Sequence, residues 1–205
     1  MTKQTLMFVG TRGVDVVRAN GDNRERPLIF DEVLTLDEAG VRGIRFNLKR
    51  GGSEGVERLE ALAKRVHEIA GWHVGLYVDS EDLADLYDIL ITLPAVSIDH
   101  LGLSRAGSPV LLRLVERGTH VKATGFGPVD LDVEEAIKDI CAANPHALMF
   151  GTDLPSTRAP RPYSDEDLWL VCELLGEKLA TQVLHDNAVA LYRQKKTISE
   201  KTTNV

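Results

Sequence analysis

Residues 95–124 read AVSIDHLGLSRAGSPVLLRLVERGTHVKAT. Ala95 to Asp99 is a short run containing β-branched residues, the pattern of a buried strand. Val110 to Val115 places apolar residues at helical spacing, and Gly118 ends that helix. His120 to Thr124 is a strand again. A strand, a covering helix and a second strand form a unit whose strands run parallel.

The same rhythm extends both ways. Upstream, Val14 to Val17 predicts a strand, and Asp31 to Ala39 a helix stopped by Gly40. Val41 to Asn47 (VRGIRFN) predicts a strand. Ser53 is the candidate N-cap of a helix whose apolar stripe is Val56, Leu59, Leu62, Ala63, Val66 and Ile69. His73 to Val78 (HVGLYV) is a strand, and Ser80 the candidate cap of a helix to about Leu90. Downstream, Asp132 caps a helix carrying Val133, Ala136, Ile137 and Ile140, and Ala147 to Phe150 (ALMF) is a strand. A helix begins at Asp165, and a last one runs from about Leu179 to Tyr192. Six strands, each followed by a helix, predict a parallel sheet covered by helices, either doubly wound or a (β/α)8 barrel. No G-x-G-x-x-G follows a strand and no P-loop motif occurs, so nucleotide-binding folds have no support.

The 205 residues suit one domain, expected over 1–193, with a polar, disordered tail at 194–205. The net charge of −7, from 31 acidic and 24 basic residues, argues against a nucleic-acid module. No apolar run is long enough to span a membrane or to form a signal-peptide core. Two cysteines, Cys141 and Cys172, both on predicted helices, make neither a disulfide framework nor a zinc-finger spacing, which fits a reducing cytoplasm.

In βα folds the chemistry gathers at the carboxyl ends of the strands. Here those ends carry Arg45 and Asn47 with Lys49 and Arg50 beyond, then Tyr77 and Asp79, Asp99 and His100, Lys122 and Thr124, and Thr152 and Asp153. Asp153 suits a base acting on water, a metal ligand, or the cap of a turn. His100 suits a proton carrier, a metal ligand, a donor to a carbonyl, or a loop anchor. Arg45 and Arg50 suit a substrate carboxylate, or else a surface pair with Glu54 or Glu57. Tyr77 is either a substrate contact or a core aromatic with a wet tip. Lys122 suits a strand-end ligand-binding group, but reads first as a lysine whose stem packs and whose head reaches out. Arg158 and Arg161 either reach the site or bind the protein's own acids. His73 and His120 begin their strands, at the opposite rim, and read as structural. His67, His146 and His185 read as residues of solvated faces.

The series GIRFNL (43–48), WHVGLYVD (72–79), LPAVSIDHLG (93–102), HVKATGFG (120–127), LMFGTDLPSTRAPRP (148–162) and VLHDNAVALYR (183–193) resembles the amidohydrolase-related family. The branch it is most similar to is the 2-pyrone-4,6-dicarboxylate lactonase-like hydrolases. The resemblance runs from about Gly13 to Arg193 and implies a (β/α)8 barrel that hydrolyses a lactone, amide or related carbonyl compound. It implies Asp153 as the group that activates water and His100 as the group that holds or polarises the carbonyl. Arg45 and Tyr77 match groups that hold substrate carboxylates, and Arg50 matches after a shift of about one position. The resemblance leaves a divalent metal, zinc or manganese, open as a cofactor, since much of the wider superfamily binds one, while the lactonase branch is able to work without metal.

Two departures qualify the resemblance. The family's first strand ends in His-x-His, and no such motif occurs in this chain; Pro128 stands where an arginine is expected. The expectation is therefore an incomplete barrel of about six βα units with the first two missing, weak or inactive alone, and self-associating through open edges as a homo-oligomer. The rival readings are a non-catalytic barrel remnant that binds a partner, and a family decarboxylase.

Overall fold

The computed structural model describes residues 7–10, 13–15, 30–51, 53–127, 129–156 and 159–192. Val16, Val17, Pro128, Arg158 and the expected tail at 194–205 lie outside the described residues. The strands are β1 (Met7–Gly10), β2 (Gly13–Asp15), β3 (Val41–Asn47), β4 (His73–Tyr77), β5 (Val96–Ile98), β6 (His120–Ala123) and β7 (Leu148–Phe150). They form one sheet in the order β2-β1-β3-β4-β5-β6-β7. From β3 to β7 every neighbour is parallel. The helices are α1 (Phe30–Glu38), α2 (Leu59–Ala70), α3 (Leu83–Leu90), α4 (Ser108–Glu116), α5 (Val133–Ala143), α6 (Asp165–Thr181) and α7 (Asn187–Tyr192). Each parallel strand is followed by a helix, which makes an incomplete barrel of the (β/α)8 type.

The parallel series holds five strands, where six were expected. The stretch read as the first βα strand instead falls on β2, which pairs antiparallel with β1, and β1 pairs antiparallel with β3. Only two residues separate β1 from β2, and so short a connection can only join antiparallel strands; a parallel pair needs a crossover.

Side chains alternate across each strand. One face carries Ile44, Phe46, Val74, Leu76, Val96, Ile98, Val121 and Leu148, all buried in the main core. The helices pack against that face with their own stripes, such as Leu59, Leu62, Ala63 and Val66 of α2 and Ile137 and Ile140 of α5. The register Arg45↔Gly75, Gly75↔Ser97 and Ser97↔His120 places the other parity on the inner face: Gly43, Arg45, His73, Gly75, Tyr77, Ser97, Asp99, His120 and Lys122. Barrel interiors are commonly filled by branched aliphatic side chains. Here the inner face is mostly polar, charged or glycine, with Met149 of β7 beside Lys122 as an apolar exception.

Helix starts differ from expectation at two positions. Ser53 caps no helix: its Oγ accepts from the Asn47 N–H at 2.7 Å, and α2 begins at Leu59 after a 3-10 turn over Val56–Arg58. A 3-10 turn over Ser80–Asp82 leads into α3, and its cap is Asp79, which accepts from the Glu81 N–H, while Ser80 is buried and donates to the Ser104 carbonyl at 2.6 Å. A carboxylate and a hydroxyl at adjacent positions both suit a cap, and the tertiary partner at Ser104 claims the hydroxyl. Asp132 caps α5 through the Glu135 N–H at 3.0 Å. Gly176, at φ 67°, breaks the helical geometry inside α6, which separates the two C-terminal helical stretches read from the sequence. Among the described residues, no helix is long and apolar enough to cross a membrane.

Candidate active site at the carboxyl rim of the sheet

Strand β3 delivers Arg45 to the inner face, and the turn after it delivers Arg50. That turn is held to β4: the Leu48 and Lys49 N–H groups both donate to the Tyr77 carbonyl at 3.0 Å. The Arg50 N–H donates to Asn47 Oδ1 at 3.0 Å. Lys49 Nζ binds Asp79 Oδ2 at 2.6 Å, and Ser104 Oγ donates to Asp79 Oδ1, so the rim loops after β3, β4 and β5 are tied together. In consequence both guanidinium groups stand over one ring, Arg45 at 5.2 Å and Arg50 at 5.5 Å from the Tyr77 centroid. Both distances suit a cation–π contact. Neither arginine pairs with Glu54; Arg58 does, at 3.4 Å.

The Tyr77 ring also meets the His100 ring in a perpendicular, T-shaped contact, with centroids 5.4 Å apart and planes at 89°. His100 follows β5 with φ at 53°, and Leu101 and Leu103 are also left-handed, at 54° and 68°. Such backbone is costly outside glycine and clusters where a site fixes a side chain's direction. The Nδ1 atom of His100 lies 3.1 Å from the Thr124 carbonyl and 3.0 Å from Thr124 Oγ1. A carbonyl oxygen only accepts, so Nδ1 carries the proton in that contact and Nε2 is left for other partners.

Asp153 follows β7 and is exposed, with φ at 55°, left-handed like His100. Gly125 lies beside both. A Cβ built on Gly125 would sit 2.7 Å from His100 Nδ1 and 3.4 Å from Asp153 Oδ2, and its φ of 60° is itself left-handed. Arg45, Arg50, Tyr77, His100 and Asp153 therefore share one rim.

Beneath them lies a buried ion cluster whose centre the sequence reading passed over. Asp99 accepts from Arg45 Nε at 2.7 Å on Oδ2 and faces Lys122 Nζ at 2.9 Å on Oδ1. Burial alone would raise the Asp99 carboxyl, but the charges of Lys122 and Arg45 outweigh it and hold the group at about 2. Burial alone would lower the Lys122 ammonium, but Asp99 beside it raises it above its ordinary value. The expected outward reach of the Lys122 head is thus corrected: its side chain is 17% exposed and its charge turns inward, because a buried carboxylate needs it there.

His73 begins β4 at the opposite rim. Among the described residues neither of its ring nitrogens makes a hydrogen bond of good geometry, and the ring packs perpendicular to Tyr192 of α7 at 4.9 Å. Burial first, then the Lys122 charge, push its imidazole down to about 3. Burial also lowers His120. Arg161 binds Asp167 with both terminal nitrogens, at 2.7 and 3.2 Å, and so serves the start of α6. Cys141 and Cys172 are free thiols.

Among the described residues, no three His, Cys, Asp or Glu side chains converge to hold a metal ion. Asp99 is committed to two cations, and His100 turns Nδ1 to Thr124. His100 and Asp153 alone fall short of the three protein ligands usual in a catalytic metal site.

The amidohydrolase family model matches residues 14–194. A curated relative, the 2-pyrone-4,6-dicarboxylate hydrolase of Comamonas testosteroni, is 38% identical over 94 residues, which is 44% of this chain and 28% of that protein. A solved Agrobacterium tumefaciens protein is similar with a TM-score of 0.66 and 24% identity, over 80% of this chain and 65% of that one. A β-aspartyl dipeptidase from Fervidobacterium islandicum, solved with a β-Asp-Leu dipeptide, is similar with a TM-score of 0.58 and 16% identity, over 87% of this chain and 53% of that one. At these identities the solved structures speak for the fold. The matched parts cover less than two thirds of each relative's own length.

Proposed function

Since the chain belongs to the amidohydrolase family, we propose that it serves the hydrolysis of a lactone or related carbonyl compound in a small molecule that bears a carboxylate. The observation that carries this reading is the convergence on Tyr77: two guanidinium groups over its ring and the His100 imidazole perpendicular to it, with Asp153 near His100 beside Gly125. Arg45, Arg50 and Tyr77 hold the carboxylate, because guanidinium groups match that anion in charge and shape. The compound in the Comamonas relative's name carries two carboxylates on a pyrone ring, which suits such an arrangement.

Asp153 acts as general base. It takes a proton from water as the water oxygen adds to the carbonyl carbon, and returns the proton to the ring oxygen when the carbon–oxygen bond breaks. Its exposed position gives water access. His100 steadies the carbonyl oxygen through Nε2, which donates a hydrogen bond when the ring is an imidazolium. Zinc or manganese, common in the wider superfamily, would have only His100 and Asp153 among these groups, and no step here runs through a metal.

The test is ring opening of a carboxylate-bearing pyrone, followed by the loss of its ultraviolet absorbance. Asp153→Asn is expected to lower the rate by about 100-fold or more while leaving the melting temperature unchanged. Hydrolysis that persists at the parent rate in this variant removes Asp153 from the reaction.

A further inference from the structure

Resting on the reading of Arg45 as a carboxylate-binding group, we propose that Asp99 is a positioning residue: it fixes the Arg45 guanidinium toward Tyr77 through the contact on Nε. Four observations carry this. The Arg45 stem crosses β4 at Gly75, where a Cβ would lie 3.8 Å from Arg45 Cγ and 3.5 Å from Ser97 Oγ, so the stem lies beside a residue that adds no bulk. The bond is made at Nε, at 2.7 Å, and Nε is the guanidinium nitrogen bonded to the stem. A bond there restricts rotation of the group, whose central carbon lies 5.2 Å from the centroid of the Tyr77 ring.

The other Asp99 oxygen faces Lys122 at 2.9 Å, so the carboxylate has a cation on each side and is 4% exposed. It has little freedom to turn. Finally, Asp99 directly precedes His100, whose ring touches the same Tyr77. One backbone segment at the end of β5 thus sets both a guanidinium and an imidazole that contact the same ring. A purely structural ion pair would need no such alignment with the rim.

The experiment uses the full chain, benzoate as the carboxylate probe and benzamide as its uncharged match, with affinities read by NMR titration. The side-chain Nε–H resonance of Arg45 is followed in parallel, and thermal melting checks that each variant is folded. Wild type is expected to prefer benzoate. Asp99→Asn is expected to weaken benzoate by about tenfold or more, the effect of losing a charged hydrogen bond, and to lose the protected Arg45 Nε–H signal. Combined with Arg45→Ala, it should weaken benzoate no further than Arg45→Ala alone, since both changes remove one pathway.

A wild-type chain that does not distinguish benzoate from benzamide overturns the carboxylate reading and this proposal with it. A wild-type chain that does distinguish them, with Asp99→Asn unaltered or additive with Arg45→Ala, overturns the positioning role alone. Should Asp99→Asn fail to fold, wild type still decides the matter. An Arg45 Nε–H that exchanges slowly supports the role, and one that exchanges as freely as an exposed arginine contradicts it.

Discussion

His100 Nδ1 and Asp153 Oδ2 both border the space beside Gly125, a residue with no side chain. Gly125 holds φ at 60°, and a methyl carbon there would approach His100 Nδ1 to 2.7 Å and Asp153 Oδ2 to 3.4 Å. The close contact is with the imidazole, whose ring is held from below by Thr124 and from the side by Tyr77. The glycine is required twice, for its backbone conformation and for the space it leaves.

Gly125→Ala therefore strains the backbone and displaces the imidazole. The left-handed conformation costs roughly 1–2 kcal/mol outside glycine, and the contact adds a further overpacking cost. The expected result is a fall of several degrees in melting temperature together with a loss of hydrolysis larger than that fall explains. Calorimetry and rate measurements on one preparation check both. Unchanged stability and rate would show that the gap tolerates a methyl group.

Lys122→Met keeps the length of the stem and removes the charge beside Asp99. Breaking a buried ion pair from one side leaves a carboxylate short of a counter-charge and typically costs about 3–5 kcal/mol; Arg45 remains on Asp99, so roughly 3 kcal/mol is expected. Urea unfolding at pH 7 measures it. A change within about 0.5 kcal/mol, the scale of an ordinary surface substitution, would show that the cluster does not depend on this lysine.

His73 links stability to pH. Its folded-state value, about 3, lies below the ordinary 6.5, so the unfolded chain takes up a proton that the folded chain refuses. The stability is fully present above about pH 6.5 and declines as the pH falls toward 3, with a slope of up to ~1.4 kcal/mol per pH unit for one proton. Asp99, held at about 2 against an ordinary 3.8, adds a loss confined to lower pH, below about 4. Urea midpoints at pH 7, 5.5 and 4.5 should fall in order in the parent. The decline should be shallower by about one proton in His73→Phe, which keeps a ring against Tyr192. Parallel slopes in the two proteins would mean that His73 is free to protonate in the folded state.

The parts of this fold that are legible in the sequence are those where local pattern and tertiary burial agree. VRGIRFN and HVGLYV read as strands because β-branched and aromatic residues suit a pleated, half-buried surface, and the structure buries Ile44, Phe46, Val74 and Leu76 on one face. The rim residues could be found because strand ends are where side chains gather in a βα fold, whatever the loops between them do. The β1–β2 hairpin was hidden because a short valine run has the same composition in a parallel or an antiparallel strand. The role of Asp99 was hidden for another reason. Its partners, Arg45 and Lys122, are 54 and 23 residues away and meet it only once β3, β5 and β6 share a sheet. Local spacing carries no sign of such a pair, and a lone lysine at a strand end gives no hint that its head turns inward. Ser53 and Ser80 misled for a related reason: a hydroxyl that suits a cap also suits a buried partner, and here Asn47 and Ser104 hold them.

The most direct test of the proposed hydrolysis is ring opening of a carboxylate-bearing lactone in water enriched in oxygen-18, with the product examined by mass spectrometry and fragmentation. Attack by an Asp153-activated water on the carbonyl carbon predicts one labelled oxygen in the new carboxylate and none in the enol or alcohol oxygen released from the ring. It also predicts a rate above the uncatalysed one that disappears in Asp153→Asn. Label in the released oxygen, carbon dioxide in place of ring opening, or a rate no faster than the uncatalysed reaction would contradict it.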